Sequence, residues 1–308
     1  MIKRWIFCFL CLCISVVHAT FNEVYVVSGE AELYCKVMGK GDPLIVIHGG
    51  PGANHNYLLP QLASLADDHL VVFYDQRGCG QSLGEIDKET ITLSNFMHDI
   101  EDIRRAFNFD KISLYGHSWG GFLAMHYAIA YPEVVEKLIL SNPVAASSEE
   151  RSLFLEEYKH RTAPYQAELS RIRATQEFQA GDPETVERYF RIHFRSYFYC
   201  QDKVDLLNLQ TPRSCSLNGA KIHRWVEENI YGSPYNLHAE LKTLNIPTLV
   251  IHGDFDPIPA ITAQRIHESI PGSKYVLLKG CGHFPFVERQ EEYLNCLRGF
   301  LNFTFIEP

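Results

Sequence analysis

Alternation of apolar and polar positions from Phe21 to Ser28 and again from Glu32 to Met38 predicts two strands with one exposed face each, because successive side chains of a strand point to opposite sides. Downstream the pattern changes to short, almost unbroken apolar runs: Pro43 to Ile47, Leu70 to Tyr74, Ile112 to Tyr115, Val134 to Leu140 and Pro247 to Ile251, with a further strand at Lys274 to Leu278. Runs of that length suit strands covered on both faces. Apolar residues at helical spacing lie between several of them, at Leu93 to Phe107, Gly120 to Ala130, Ile261 to Ile270 and Glu288 to Phe303. Alternating strands and helices predict an α/β fold on a mainly parallel, doubly wound sheet.

The rhythm breaks between residues 146 and 240, which are rich in Glu, Arg, Gln, Tyr and Phe at helical spacing and contain no run of the buried-strand kind. We read this stretch as a helical cap inserted between two core segments, 20–145 and 241–308. Tyr189, Phe190, Phe194, Tyr197, Phe198 and Tyr199 crowd into eleven residues of it. Most of these rings are expected to hold cap helices together, since aromatics bury large areas wherever packing allows; lining a pocket mouth is the other role.

Residues 1–19 form a separate unit. Lys3 and Arg4 precede the apolar run Trp5 to Val17, and the segment ends on the small-residue pattern Val17-x-Ala19. This predicts a secretory leader cut after Ala19, and a secreted or periplasmic protein without a stable membrane anchor; an uncleaved anchor is the alternative. The formal net charge of −9 falls to −11 when Lys3 and Arg4 are removed. That balance, with no basic stripe interleaved with aromatics, argues against a nucleic-acid partner. Six cysteines follow the leader: Cys35, Cys79, Cys200, Cys215, Cys281 and Cys296. In an oxidising compartment Cys200 and Cys215 are the best candidates for one bridge, and buried free thiols are the alternative.

Sheets of this type bind ligands beyond the carboxyl ends of their strands, so the polar residues that follow each apolar run carry the chemistry. Gly116-His117-Ser118-Trp119-Gly120 reads as a nucleophile elbow, in which glycines let strand and helix approach while a serine is exposed on the tight turn between them. A serine hydroxyl needs a neighbouring base to act at neutral pH. His283, on the Gly280-Cys281-Gly282-His283 turn after the last strand, fits that role, and Asp256 of Asp254-Phe255-Asp256-Pro257 fits the group that orients it. Asp254 is the other candidate, and we prefer Asp256 because it lies further out along the loop. His48-Gly49-Gly50-Pro51-Gly52 supplies close backbone, so that the N–H groups of Gly50 and Trp119 form an oxyanion hole. In the loop Asp75 to Ser82, Asp75 and Arg77 are expected to brace the site through a salt bridge. That loop lacks the Lys-Ser/Thr ending of a phosphate cradle, and the fourteen histidines contain no His-Glu-x-x-His spacing, so no cofactor or metal is expected.

Taken together, His48 to Gly52, Asp75 to Ser82, Gly116 to Gly121, Asp256 and His283 resemble the prolyl aminopeptidase (proline iminopeptidase) group of α/β-hydrolases, over essentially the whole core. The resemblance implies the α/β-hydrolase fold, a Ser118–Asp256–His283 triad with Gly50 and Trp119 as oxyanion donors, and release of N-terminal residues, often proline, from small peptides. An esterase or amidase on the same triad is the alternative, and a catalytically silent binding protein is a third reading that fold alone does not exclude. Such aminopeptidases hold the substrate's free amine with glutamates. Where one branch carries Arg-Ile-Glu in a cap helix, this chain has Arg191-Ile192-His193, and where another has an acid after the triad aspartate it has Pro257. Other cap acids, such as Glu187, Glu227 or Glu228, are candidates for that task.

Overall fold

The computed structural model describes residues 21–59 and 61–303; the expected leader lies outside them. Eight strands form one sheet: β1 (Phe21–Ser28), β2 (Ala31–Gly39), β3 (Pro43–Ile47), β4 (Leu70–Tyr74), β5 (Ile112–His117), β6 (Val135–Ser141), β7 (Thr248–Gly253) and β8 (Lys274–Leu278), in the order β1-β2-β4-β3-β5-β6-β7-β8. β1 and β2 pair antiparallel, as does β2 with β4; every other pairing is parallel. The two alternating stretches therefore sit at one edge and the continuously apolar runs in the middle.

Helices cover both faces. α1 (Leu93–Ala106) and α2 (Trp119–Ala130) come before β6. Between β6 and β7 lie α3 (Ser148–Thr162), α4 (Gln166–Arg173), α5 (Gln176–Gln179), α6 (Pro183–Arg195), α7 (Arg213–Asn229) and α8 (His238–Leu241). α9 (Ala260–Ser269), α10 (Pro285–Glu288) and α11 (Gln290–Leu301) follow β7. Alternate residues of one strand feed two cores. Ile45 and Ile47 of β3 join Phe96, Ile100, Phe122 and Ile266 on one side, whereas Leu44 and Val46 join Leu62, Leu297 and Phe300 on the other. Burial on both faces is why β3 to β7 read as unbroken apolar runs.

Two expectations change. The helix expected from Glu288 to Phe303 is interrupted at Arg289, whose backbone sits at φ −132°, ψ 43°; Glu288 is turned inward there, and its carboxylate accepts the amides of Gly282 (2.6 Å) and Cys200 (2.8 Å). No Cys200–Cys215 bridge forms, and all six cysteines are free thiols. Cys200 is exposed, while Cys215 is buried in α7 with its Sγ 3.5 Å from the Gly52 carbonyl.

Candidate active site

β3 is flanked by β4 and β5, so the chain reverses its direction of travel across the sheet at β3. The crevice beyond the carboxyl ends of β3 and β5 is thus the topological switch point where such sheets place their ligands. Ser118 is the single residue between β5 and α2, and its backbone sits at φ 57°, ψ −118°, a costly conformation for a residue with a Cβ. Its surroundings enforce it. Ser118 donates its N–H to Ser141 on β6 (3.0 Å), and its carbonyl accepts from Gly121 (2.9 Å) and Val144 (3.1 Å). A Cβ at Gly120 would fall on the Ile47 carbonyl, and one at Gly116 on the Gly120 carbonyl. Trp119 opens α2, so its amide is among the first-turn N–H groups that have no partner within a helix.

The loop after β3 abuts this turn: a Cβ on Gly49 would come within 3.0 Å of Ser118 Cβ. A carbonyl only accepts, so the 2.6 Å contact between His48 Nδ1 and the Gly49 carbonyl puts the ring proton on Nδ1. Nε2 is then free to accept the Gln76 amide at 3.1 Å. Burial pushes His48 down to about 4, so the ring is neutral at pH 7. Holding the Gly49 carbonyl towards His48 turns the N–H of the same trans peptide, that of Gly50, the opposite way. Gln76 also donates to the His48 carbonyl (2.7 Å) and accepts the Trp119 indole N–H (2.9 Å). It fastens both segments expected to supply oxyanion donors, a role for which the sequence around Gln76 carries no local mark.

The salt bridge expected between Asp75 and Arg77 is absent. Arg77 instead forks onto Asp99 of α1, at 2.9 and 2.5 Å. Asp75 accepts from His55 Nδ1 (2.7 Å), the His55 amide (2.9 Å) and the Gln81 amide (2.8 Å). Asp99 is wholly buried and needs a cation, which the planar guanidinium meets with two bonds.

Beyond β7 and β8 the two loops meet. Asp256 Oδ2 accepts from His283 Nδ1 at 2.8 Å and from Asn142 Nδ2 at 2.6 Å, and Oδ1 accepts the Ile258 amide at 2.8 Å. Burial opposes ionisation of Asp256, but His283, His252 and Asn142 outweigh it and hold the carboxyl below its ordinary range. Asp254 faces Lys279 (3.7 Å) and the Cys281 amide (3.3 Å) instead. Asn142 went unnoticed in the sequence, although it directly follows β6 and the strand-end rule points to it.

The helical segment between β6 and β7 reaches this loop. The His283 amide donates to the Tyr197 carbonyl at 2.8 Å, and the two rings lie 5.4 Å apart. Phe194 packs on Phe284, whereas Tyr199 is exposed and meets Phe255. The acids considered for an amine are already paired: Glu187 with Arg191 (2.6 Å), Glu227 with Arg151 (2.5 Å) and Glu228 with Lys88 (2.8 Å). His193 stands 5.4 Å from Tyr197, ring to ring. Burial, reinforced by Arg173 and His223, pushes it down to about 4, so it is neutral at pH 7.

Comparison with known proteins bears on the fold and the family. Residues 42–290 match the alpha/beta hydrolase fold family. The chain is 32% identical over 300 residues to the proline iminopeptidase of Lactobacillus delbrueckii subsp. bulgaricus, covering 91% of this chain and 97% of that one. To the proline iminopeptidase of Saccharolobus solfataricus it is 29% identical, covering 92% and 91%. The crystal structure of proline iminopeptidase from Mycobacterium smegmatis superposes with a TM-score of 0.66 at 25% identity, covering 91% of this chain and 97% of that one. An alpha/beta fold family hydrolase from Bacillus anthracis shares the fold, with a TM-score of 0.70 at 20% identity and coverage of 91% and 99%. This chain is therefore a hydrolase of the α/β-hydrolase fold and belongs to the proline iminopeptidase group within it.

Proposed function

We propose that this hydrolase is a serine enzyme that releases N-terminal residues, proline among them, from short peptides through an acyl-enzyme. The observation that carries the reading is the 2.8 Å bond from His283 Nδ1 to the buried, ionised Asp256, at the same end of the sheet as a serine held at φ 57°. With Nδ1–H committed to Asp256, Nε2 is the basic nitrogen. Ser118 Oγ attacks the scissile carbonyl carbon and its proton passes to His283 Nε2. Collapse of the tetrahedral intermediate breaks the C–N bond, and the leaving amine takes that proton. Water, activated by the same nitrogen, then hydrolyses the ester on Ser118. The developing oxyanion is met by the N–H groups of Gly50 and Trp119. The leader pattern of residues 1–19 adds export to the proposal.

A second reading, an esterase or amidase that ignores the amine, is favoured by a specific observation. His193 is neutral, Pro257 carries no charge, and Glu187, Glu227 and Glu228 each have a cationic partner. A buried ammonium without an anion is strongly unfavourable. The two readings separate in a paired assay with prolyl p-nitroanilide and its N-acetylated twin. The peptidase reading expects the free amine to be cleaved roughly 30-fold to several thousand-fold faster, the value of a charged contact of about 2–5 kcal/mol. Equal rates, or turnover of p-nitrophenyl esters alone, establish the esterase reading. Ser118→Ala is expected to abolish turnover in either case with the fold intact, and full activity in that variant would reject the serine mechanism.

A further inference from the structure

Tyr57 follows the glycine-rich loop in a short 3-10 turn, His55–Leu58, and takes no part in the chemical steps above. Its hydroxyl is buried between two partners. The Gly49 amide donates to it at 2.6 Å, and it lies 2.7 Å from His117 Nδ1. His117 Nε2 in turn lies 2.8 Å from the His283 carbonyl. The direction of every bond follows. The carbonyl only accepts, so Nε2 carries the proton; burial, with His283 beside it, holds His117 well below the ordinary histidine value, so the neutral ring leaves Nδ1 as an acceptor for the Tyr57 O–H. The tyrosine oxygen is then free to receive the Gly49 N–H. Every donor and acceptor in the relay is used once, as a buried polar network requires.

The three segments it joins are far apart in sequence and are the three that this mechanism must keep in register: the loop that presents Gly50, the turn that presents Ser118, and the loop that presents His283. We propose that Tyr57 and His117 are positioning residues that set the distance between oxyanion donors, nucleophile and base. The inference rests on the serine mechanism proposed above. His117 is also packed by its ring against His283, 4.7 Å between centroids, and Tyr57 against Phe284 and Phe286, so neither ring is free to swing away.

The test is the rate of Ser118 labelling by a fluorophosphonate, which reports nucleophile and oxyanion geometry without depending on which substrate the enzyme prefers. Wild type, Tyr57→Phe, His117→Leu, His117→Gln and the Tyr57→Phe/His117→Leu double variant are compared at a temperature where circular dichroism shows each to be folded. Tyr57→Phe keeps the ring and is expected to slow labelling roughly 10- to 100-fold, the scale of a small misplacement of reacting groups. His117→Leu is expected to match it. His117→Gln, whose amide accepts from Tyr57 and donates to the His283 carbonyl, recovers most of that loss, which a purely space-filling role would not produce. The double variant is no slower than the slower single one to within about twofold. Labelling of folded Tyr57→Phe at the wild-type rate, or a double loss equal to the product of the single ones, overturns the relay while leaving the serine mechanism in place. Failure of wild type to label at Ser118 overturns both.

Discussion

Asn142 donates to the Asp256 carboxylate and, at 3.2 Å, to the Gly282 carbonyl, from a backbone held at φ 47°. One side chain thus fixes the carboxylate and the loop that carries His283. Asn142→Ala removes both bonds, and kcat is expected to fall about 10- to 100-fold with KM little changed, because the loss is one of orientation. Steady-state kinetics on the arylamide check this; an unchanged kcat means that His283 and the Ile258 amide hold Asp256 without help. At this scale the residues read from the sequence are those in short local patterns, a glycine-flanked Ser118 and a glycine-flanked His283. Asn142, Gln76, Tyr57 and His117 act through bonds that span up to 166 residues, and no local pattern encodes such a partner.

The apolar stripe of α1 and the core face of α2 meet over a polar junction. Glu101 of α1 is buried, accepts two bonds from Arg104 at 2.9 and 2.8 Å, and takes the Tyr127 hydroxyl of α2 at 2.7 Å. The Arg104 bonds, aided by Tyr127, outweigh burial and hold its carboxyl down at about 2, against an ordinary 4.5. A folded-state value below the unfolded one means stability that is fully present above about pH 4.5 and is lost as pH falls towards 2. Glu101→Gln is therefore expected to cost about 2 kcal/mol at pH 7. The gap to wild type narrows through the acid range. Urea unfolding at several pH values measures it, and a gap that does not change with pH would show that the charge is not what matters. Elements themselves were legible because each has its own period. Strand and helix bounds fall within a residue or two of those predicted for most of the chain. The break at Arg289 was not: there Glu288 turns inward to the Gly282 amide six residues before it and to the Cys200 amide 88 residues away.

Taken whole, the molecule is an acidic chain of 308 residues with its proposed chemistry gathered at one end of the sheet. Export with removal of residues 1–19 predicts that N-terminal sequencing of protein recovered outside the cytoplasm begins at Thr20; recovery of the full-length chain from the cytoplasm contradicts it. Sequence by itself determined the α/β order of elements, the doubly covered central strands and the family, because burial on two faces and tight glycine turns leave marks within a few neighbouring positions. Only the tertiary structure decided which pairs form. It gave Arg77 to Asp99 and Asp75 to His55, chose Asp256 over Asp254 for His283, separated Cys200 from Cys215, and occupied the acids considered for the substrate amine. Apart from Glu187–Arg191, four residues apart on one helix, these outcomes depend on distances in space that the spacing of residues along the chain does not contain.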